Sequence, residues 1–210
     1  GAHAGVSVGP DGATHQAIED IAITRVMPNM VVIAPADEHE ARKATLAAAK
    51  YSGPVYFRLG RSATPVVTTP DSPFEIGKAQ LMYSRDEAHE QKVGIVVTGS
   101  LLYNALMAAK ELNETGVGAS VLHMPTIKPL DEAALLSFAQ DHDAVVTVEE
   151  HQVAGGLGGA VAEYLSGEHP IKISRVGVQD QFGQSGEPDE LVEHYGMGID
   201  SIVQAAKNTL

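Results

Sequence analysis

The sequence has no cysteine and no tryptophan, aromatic residues make up only 5% of it, and no apolar run approaches the ~20 residues that span a bilayer. The absence of cysteine excludes disulfides, thiolate metal sites and a cysteine nucleophile. The scarcity of aromatics argues against stacking platforms for single-stranded nucleic acid and for aliphatic packing of Ala, Val, Ile and Leu. No basic segment followed by an apolar run opens the chain, so neither export nor membrane insertion is indicated, and a soluble, cytoplasmic protein is expected. At 210 residues with 44% hydrophobic content, the chain suffices for one large or two small domains with buried cores.

Basic residues are also few, 14 against 27 acidic ones, for a formal net charge of −13. The imbalance is local. Residues 1–70 hold six acidic and six basic groups, and the remainder holds 21 acidic and eight basic ones. Repulsion from phosphates makes nucleic acid or an anionic membrane a poor partner for the acidic part, while the neutral first part keeps arginines for a small anion.

Short apolar runs alternate with helical segments. Met30 to Ala34, bounded by Pro28-Asn29 and Pro35, reads as a strand buried on both faces. Asp37 caps a helix from Glu38 to Lys50, whose Ala41, Ala44, Thr45, Ala48 and Ala49 form a narrow small-residue face for close approach. Ser52-Gly53 ends it, and Pro54 to Leu59 is the next strand. A stretch rich in Pro, Thr and Ser, from Ser62 to about Pro73, has the composition of a boundary running over a surface. Beyond it, strands at Val93 to Thr98, Gly118 to His123, Ala144 to Val148 and Ile171 to Val176 alternate with helices near Leu101 to Thr115, Asp131 to Gln140 and Leu157 to Leu165. Further helices start at Pro188 and Gly198. This order predicts α/β architecture with a parallel sheet and right-handed crossovers. Only two strands are legible in residues 1–61, where a parallel layer ordinarily has about four to six, so an incomplete α/β piece is expected there. The expected division is a first domain over 1–68, a linker over 69–78 and a three-layer α/β domain over 79–210.

The segment GPDGATHQ, Gly9 to Gln16, sets a carboxylate (Asp11) and an imidazole (His15) four residues apart, with His3 nearby. Gly9, Pro10 and Gly12 argue against any helix or strand through this stretch. A helix is expected just after it, with Thr14 as cap and Glu19 and Asp20 in its first turn. Asp11 and His15 then sit beside a helix N-terminus, a place that favours anions and where a histidine can pass protons near neutral pH. On spacing alone, a D-x-x-x-H in a loop is more often a turn aspartate and a surface histidine.

Arg58 and Arg61 stand at the end of the PVYFRL strand, where ligands approach open α/β sheets, although each also reads as a surface arginine paired with a helix carboxylate. The run Gly155-Gly156-Leu157-Gly158-Gly159 invites a dinucleotide reading, but it follows a third strand after an intervening EEHQVA and is out of register for G-x-G-x-x-G. Close helix packing explains it. Glu149-Glu150-His151 ends the same strand, and since neighbours on an extended chain face opposite ways, only Glu149 and His151 can converge. A structural role is expected for them, as for a packed His123. His39, His89, His142, His169 and His194 read as solvated.

The run HAGVSVGPDGATHQAIEDIAITRVMPNMVVIAPAD resembles the pyrimidine-domain segment of the transketolase family of thiamine diphosphate enzymes, whose hallmark is a D-G-x-T-H-Q turn followed by a helix and a P-N-M strand entry. TIKPLDE (Thr126 to Glu132), VTVEEHQVAGGLGGAVAE (Val146 to Glu163) and GVQDQFGQSGEPDEL (Gly177 to Leu191) resemble that family's C-terminal domain. Their wording is closest to transketolases split into two polypeptides, of which this is the C-terminal one.

The resemblance implies transfer of a two-carbon ketol unit between sugar phosphates in the pentose phosphate pathway. It implies His15 as the catalytic group that moves a proton at the substrate oxygen beside the reacting carbon, Asp11 on a sugar hydroxyl, and His3 with Arg61 on the terminal phosphate. Thiamine diphosphate and Mg2+ are implied for the assembled enzyme. Neither is expected on this chain alone, since the activating glutamate, the aromatic stack and the diphosphate site belong to a portion that precedes the histidine segment. The implied partners are that N-terminal portion or subunit and sugar phosphate substrates, in a homodimer or heterotetramer. Two alternatives stand beside this reading: a 1-deoxy-D-xylulose-5-phosphate synthase fragment, and a non-catalytic assembly or regulatory module. The β subunits of 2-oxoacid dehydrogenases share the layout but usually lack the D-G-x-T-H-Q turn.

Overall fold

The computed structural model describes residues 1–210. After a 3-10 turn at Val6–Asp11, the first part runs through α1 (Asp20–Arg25), β1 (Val31–Ile33), α2 (Glu38–Lys50) and β2 (Val55–Phe57). The second runs through β3 (Gln80–Tyr83), β4 (Lys92–Val97), α3 (Leu102–Glu114), β5 (Gly118–His123), β6 (Thr126–Lys128), α4 (Glu132–Gln140), β7 (Ala144–Gln152), α5 (Leu157–Glu168), β8 (Lys172–Val178), α6 (Pro188–His194) and α7 (Ile199–Thr209).

The larger sheet has the order β3-β5-β4-β7-β8. Its last four strands are parallel, and β3 joins the edge antiparallel. Period-2 alternation sorts its side chains between two helix layers. Val93, Ile95 and Val97 of β4, with Val146 and Val148 of β7, pack against Leu102, Ala105 and Leu112 of α3 and Ile202 and Val203 of α7. Val96 and Val145 face the other way, onto Leu135 and Phe138 of α4 and Leu157 and Val161 of α5. Gly94 is the small position on that face: a Cβ there would meet the Phe138 ring. Helices on both faces of a mostly parallel sheet make the three-layer α/β arrangement.

The smaller sheet, β2-β1-β6, crosses the boundary expected from composition. β1 and β2 run parallel, and the second part supplies β6 antiparallel to β1. Two strands legible in the first part thus become three. Ile21, Val32 and Ala34 of the first part share one apolar cluster with Leu157 and Val161 of α5, so the two parts are joined through buried side chains.

Asp37 does cap α2, accepting from the Glu40 amide at 3.1 Å. It also holds the boundary segment, accepting from the backbone amide and the hydroxyl of Thr68, each at 2.6 Å. That segment is therefore pinned at Thr68, which is buried, rather than simply lying over the surface. The small-residue face of α2 is narrower than expected. Ala44 is buried and Ala48 half-buried against Val31, Ile33, Val55 and Phe57, while Thr45 and Ala49 are exposed.

The glycine-rich stretch departs from expectation in two ways. A 3-10 turn does run through it, broken by positive φ at Gly9 (81°). And Thr14 caps nothing: α1 begins six residues later, at Asp20, so Asp11 and His15 stand clear of its N-terminus. The local reason is Gln16, whose buried amide donates to Val6 O and Gln184 O and ties the chain to the turn before any helix can start.

Candidate active site

Residues 1–17 fold back on themselves. Leu59 N donates to Gly1 O and Ala4 N to Leu59 O, while Gly5 N donates to Ala17 O and Ala17 N to His3 O. This pairing sets His3 and His15 side by side, ring centroids 6.4 Å apart and steeply inclined. Past β2 the chain turns outward, and Arg61 reaches back to pair with Asp11. The structure therefore brings all four residues singled out from the sequence, His3, Asp11, His15 and Arg61, to one exposed surface.

Their electrostatics are mutually consistent. The hydrogen bond from Arg61, with its charge and those of His15 and His3, holds the Asp11 carboxyl below the usual carboxylate range, so Asp11 stays ionised. His15 Nδ1 lies 2.9 Å from Thr14 Oγ1, and its Nε2 has no partner within the protein. His15 lines a shallow cavity of about 340 Å3 shared with Glu19, Asp20 and Ile23. A larger cavity of about 390 Å3 opens nearby, between Pro35, Gly60, Ser62, Ser100 and Glu150.

The loop is braced by parts of the chain that sequence reasoning did not connect to it. Glu150 of β7 accepts from Ser7 N at 2.6 Å and from Ser100 Oγ at 2.7 Å, and Ser62 Oγ donates to Ser7 O. Against the loop's other side lies the segment from Ser185 to Pro188, which leads into α6. A Cβ on Gly9 would come within 3.1 Å of Pro188 Cγ, and one on Gly12 within 2.6 Å of Ser185 Oγ. Both glycines also have positive φ, so each meets a conformational and a steric requirement at once. Those two glycines are the signal in the sequence that something packs closely there.

Arg58 serves the fold. Its guanidinium is 6% exposed, pairs with Asp20 Oδ2 at 2.8 Å and donates to Ala17 O and Glu150 O. Burial raises the Asp20 carboxyl, but the Arg58 charge and hydrogen bond and the Tyr56 hydroxyl outweigh it and keep Asp20 ionised. The Glu149-Glu150-His151 run is likewise consumed internally. Glu149 and His151 do converge, with Oε2 to Nδ1 at 3.8 Å. Glu149 accepts from Leu157 N (2.6 Å) and Gly158 N (2.8 Å), so the glycine-flanked start of α5 already holds a carboxylate from its own chain. His151 Nδ1 donates to Gln152 O, and Nε2 accepts from Ile21 N, which caps α1.

Among the remaining histidines, His123 is fully buried, with Nε2 2.8 Å from Glu40 Oε2. His142 is buried rather than solvated, packed against the Phe138 ring with centroids 4.5 Å apart.

The family of transketolase pyrimidine-binding domains matches residues 1–67, and the family of transketolase C-terminal domains matches residues 83–202. A transketolase C-terminal section from Methanocaldococcus jannaschii is 42% identical over 205 residues, covering 96% of this chain and 62% of that protein. A 1-deoxy-D-xylulose-5-phosphate synthase from Vibrio cholerae is 40% identical over 196 residues, covering 92% of this chain and 30% of the relative. A solved split-gene transketolase, described as an inactive beta4 tetramer, superposes with TM-score 0.87 at 44% identity, over 100% of this chain and 64% of its own. The chain thus spans less than two thirds of the length of these proteins. No helix is long and apolar enough to cross a membrane.

Proposed function

The chain belongs to the transketolase family, and from that premise we propose that it is the C-terminal portion of a thiamine diphosphate-dependent transketolase, active when joined to an N-terminal portion, in the cytoplasm and the pentose phosphate pathway. The observation that supports this reading is the meeting of His3, Asp11, His15 and Arg61 on one exposed loop surface. His15, with an unbonded Nε2, moves a proton at the substrate oxygen beside the reacting carbon. Asp11, held ionised, accepts from a sugar hydroxyl. Arg61 and His3 hold the terminal phosphate, the guanidinium by its fork of N–H donors.

Thiamine diphosphate, when bound, supplies stabilisation of the carbanion. No group of three or more His, Asp and Glu side chains of this chain converges to hold a metal. The diphosphate and its magnesium are assigned to the N-terminal portion. Residues 1–68 then act as part of a pyrimidine-binding domain, and residues 79–210 as a C-terminal domain for packing and association in a homodimer or heterotetramer.

The test is reconstitution. The purified chain is assayed for ketol transfer alone and after mixing with an N-terminal transketolase section. Transfer in the mixture and none in either part alone is the expected result; transfer by this chain alone, or none in any mixture, overturns the reading. The likeness to a deoxyxylulose phosphate synthase sets the second arm, in which the mixture is assayed for formation of 1-deoxy-D-xylulose 5-phosphate.

A further inference from the structure

Strands β4 and β7 are parallel neighbours in the larger sheet, and β5 pairs with the other side of β4. The winding of the sheet therefore changes direction between β4 and β7. The crevice outside the carboxyl ends of strands at such a point is the usual ligand position of open α/β sheets. Here it receives the loop of the first part, with Gly5 and Ser7 set against Glu150 of β7. A Cβ on Gly5 would come within 2.1 Å of Glu150 Oε1.

Glu150 is 3% exposed, and burying a carboxyl is costly unless its oxygens are bonded. Both oxygens are used: Oε1 accepts from Ser7 N at 2.6 Å and Oε2 from Ser100 Oγ at 2.7 Å. An apolar side chain would pack there at lower cost but would leave the Ser7 amide unheld. Ser7 is in turn the common anchor of two residues of the candidate site. Its carbonyl oxygen accepts from Ser62 Oγ at 2.7 Å, and Ser62 adjoins Arg61. Its own 3-10 turn, Val6–Asp11, ends on Asp11, to which Arg61 donates. Ser7, Ser62, Arg61 and Asp11 thus form a closed circuit, fastened at Ser7 by Glu150.

We propose that Glu150 is a positioning residue for sugar phosphate binding: by holding Ser7 it fixes Arg61 and Asp11 relative to each other, without touching substrate itself. This rests on the roles given above to Asp11 and Arg61. It makes recognition of the phosphate depend on a buried side chain of the second part, in addition to the packing and association that this part supplies.

The first readout needs no ketol transfer. Asp11 is held below the usual carboxylate range chiefly by its hydrogen bond from Arg61. A 13C NMR titration of the Asp11 carboxyl in the purified chain should show its midpoint moving up in Glu150→Ala and in Ser62→Ala, since each cuts the circuit. Glu150→Gln keeps an acceptor for Ser7 N and should leave the midpoint in place. Ser62→Ala removes one hydroxyl from a half-buried residue, so it carries the test where Glu150→Ala fails to fold. The second readout, in the reconstituted enzyme, is the ratio of kcat/KM for a phosphorylated donor to that for hydroxypyruvate. Misplacing a binding group by about 1 Å can cost as much as about 10²-fold, and here a fall of about tenfold is expected in both alanine variants, with recovery in Glu150→Gln. In a chain that already carries Arg61→Ala, Ser62→Ala should bring no further fall. An unmoved Asp11 midpoint in Ser62→Ala, equal losses for both donors, no recovery with glutamine, or losses that add to those of Arg61→Ala would each overturn the proposal. Absence of ketol transfer in every mixture would count against the function proposed above instead, and the titration then decides the positioning.

Discussion

The end of β7 and the loop of residues 3–15 carry similar residue types and use them in opposite ways. Glu149, Glu150 and His151 are buried, and their carboxylates and ring nitrogens are taken up by the amides of α5, the 3-10 turn, the start of α1 and the Gln152 carbonyl. His3, Asp11 and His15 are exposed, and a ring nitrogen of His15 is left unbonded. Carboxylates and imidazoles are thus available for chemistry only where the fold has not already consumed their hydrogen-bonding capacity. The two arginines of one short segment repeat the contrast. Arg58 is 6% exposed and makes bonds to Asp20, Ala17 and Glu150, whereas Arg61 is 48% exposed and meets only Asp11.

The largest effect should come from the exposed side. In the reconstituted enzyme, His15→Ala is expected to lower turnover by about 10² to 10⁴-fold, the range of a positioned proton-transfer group, with thermal unfolding unchanged. An equal loss of stability in His15→Ala would erase the contrast between the two regions. On the buried side, Arg58→Met leaves the buried Asp20 carboxylate without its counter-charge and with the Tyr56 hydroxyl as its remaining side-chain donor, and breaking a buried pair costs about 3–5 kcal/mol. Urea denaturation reads this directly; a loss below about 1 kcal/mol would mean that Arg58 is not the structural member of the pair.

Glu149 gives the next effect, through pH. Burial pushes its carboxyl up to about 7, against the two amide hydrogen bonds that favour the ionised form. A carboxyl whose folded value lies above its unfolded one binds more protons folded than unfolded between the two values. Stability from this group is therefore greatest below about 4.5 and declines as pH rises to about 7, by up to ~3 kcal/mol. His142 and His151 are lowered by burial and act in the opposite sense over the same interval, so the unaltered chain must be compared with Glu149→Gln. The unfolding free energy of the unaltered chain minus that of Glu149→Gln should fall as the pH is raised from 5 to 7.5, and a difference independent of pH would show that Glu149 does not titrate there.

Much of this was legible because the parallel strands are apolar runs bounded by turn residues. β5 and α2 have the bounds read from the sequence. β3 was not, because an antiparallel edge strand with Leu81 exposed lacks a buried run, and the three residues of β6 are too few for a period. The four loop residues are singled out in the sequence by their types and by the resemblance that surrounds them, and the fold places them on one surface. What supports them was not legible: Glu150, Gln184 and Pro188 reach the loop across more than 140 residues of sequence, a distance over which no local pattern carries information. His142 differs: its ring packs on Phe138, one helical turn earlier, and a polar setting in the sequence, between Asp141 and Asp143, masks that burial.

The smallest effect is the sharpest test of the arginine contrast. Arg61→Ala removes a half-exposed side chain whose only ion pair is with an exposed carboxylate, so stability should move by no more than about 0.5 kcal/mol. In the reconstituted enzyme its loss should fall on phosphorylated donors far more than on unphosphorylated ones such as hydroxypyruvate, because a charge-assisted hydrogen bond, roughly 1.5–3 kcal/mol, is lost only where a phosphate exists. The measured quantity is the ratio of kcat/KM for the two donors, compared between the unaltered and altered enzymes, which cancels general damage to the loop. Asp11 supplies the control. Without Arg61 it loses the main cause of its lowered value, so a variant that weakens both donors equally, increasingly toward acid pH, would assign Arg61 to holding Asp11 ionised rather than to gripping phosphate.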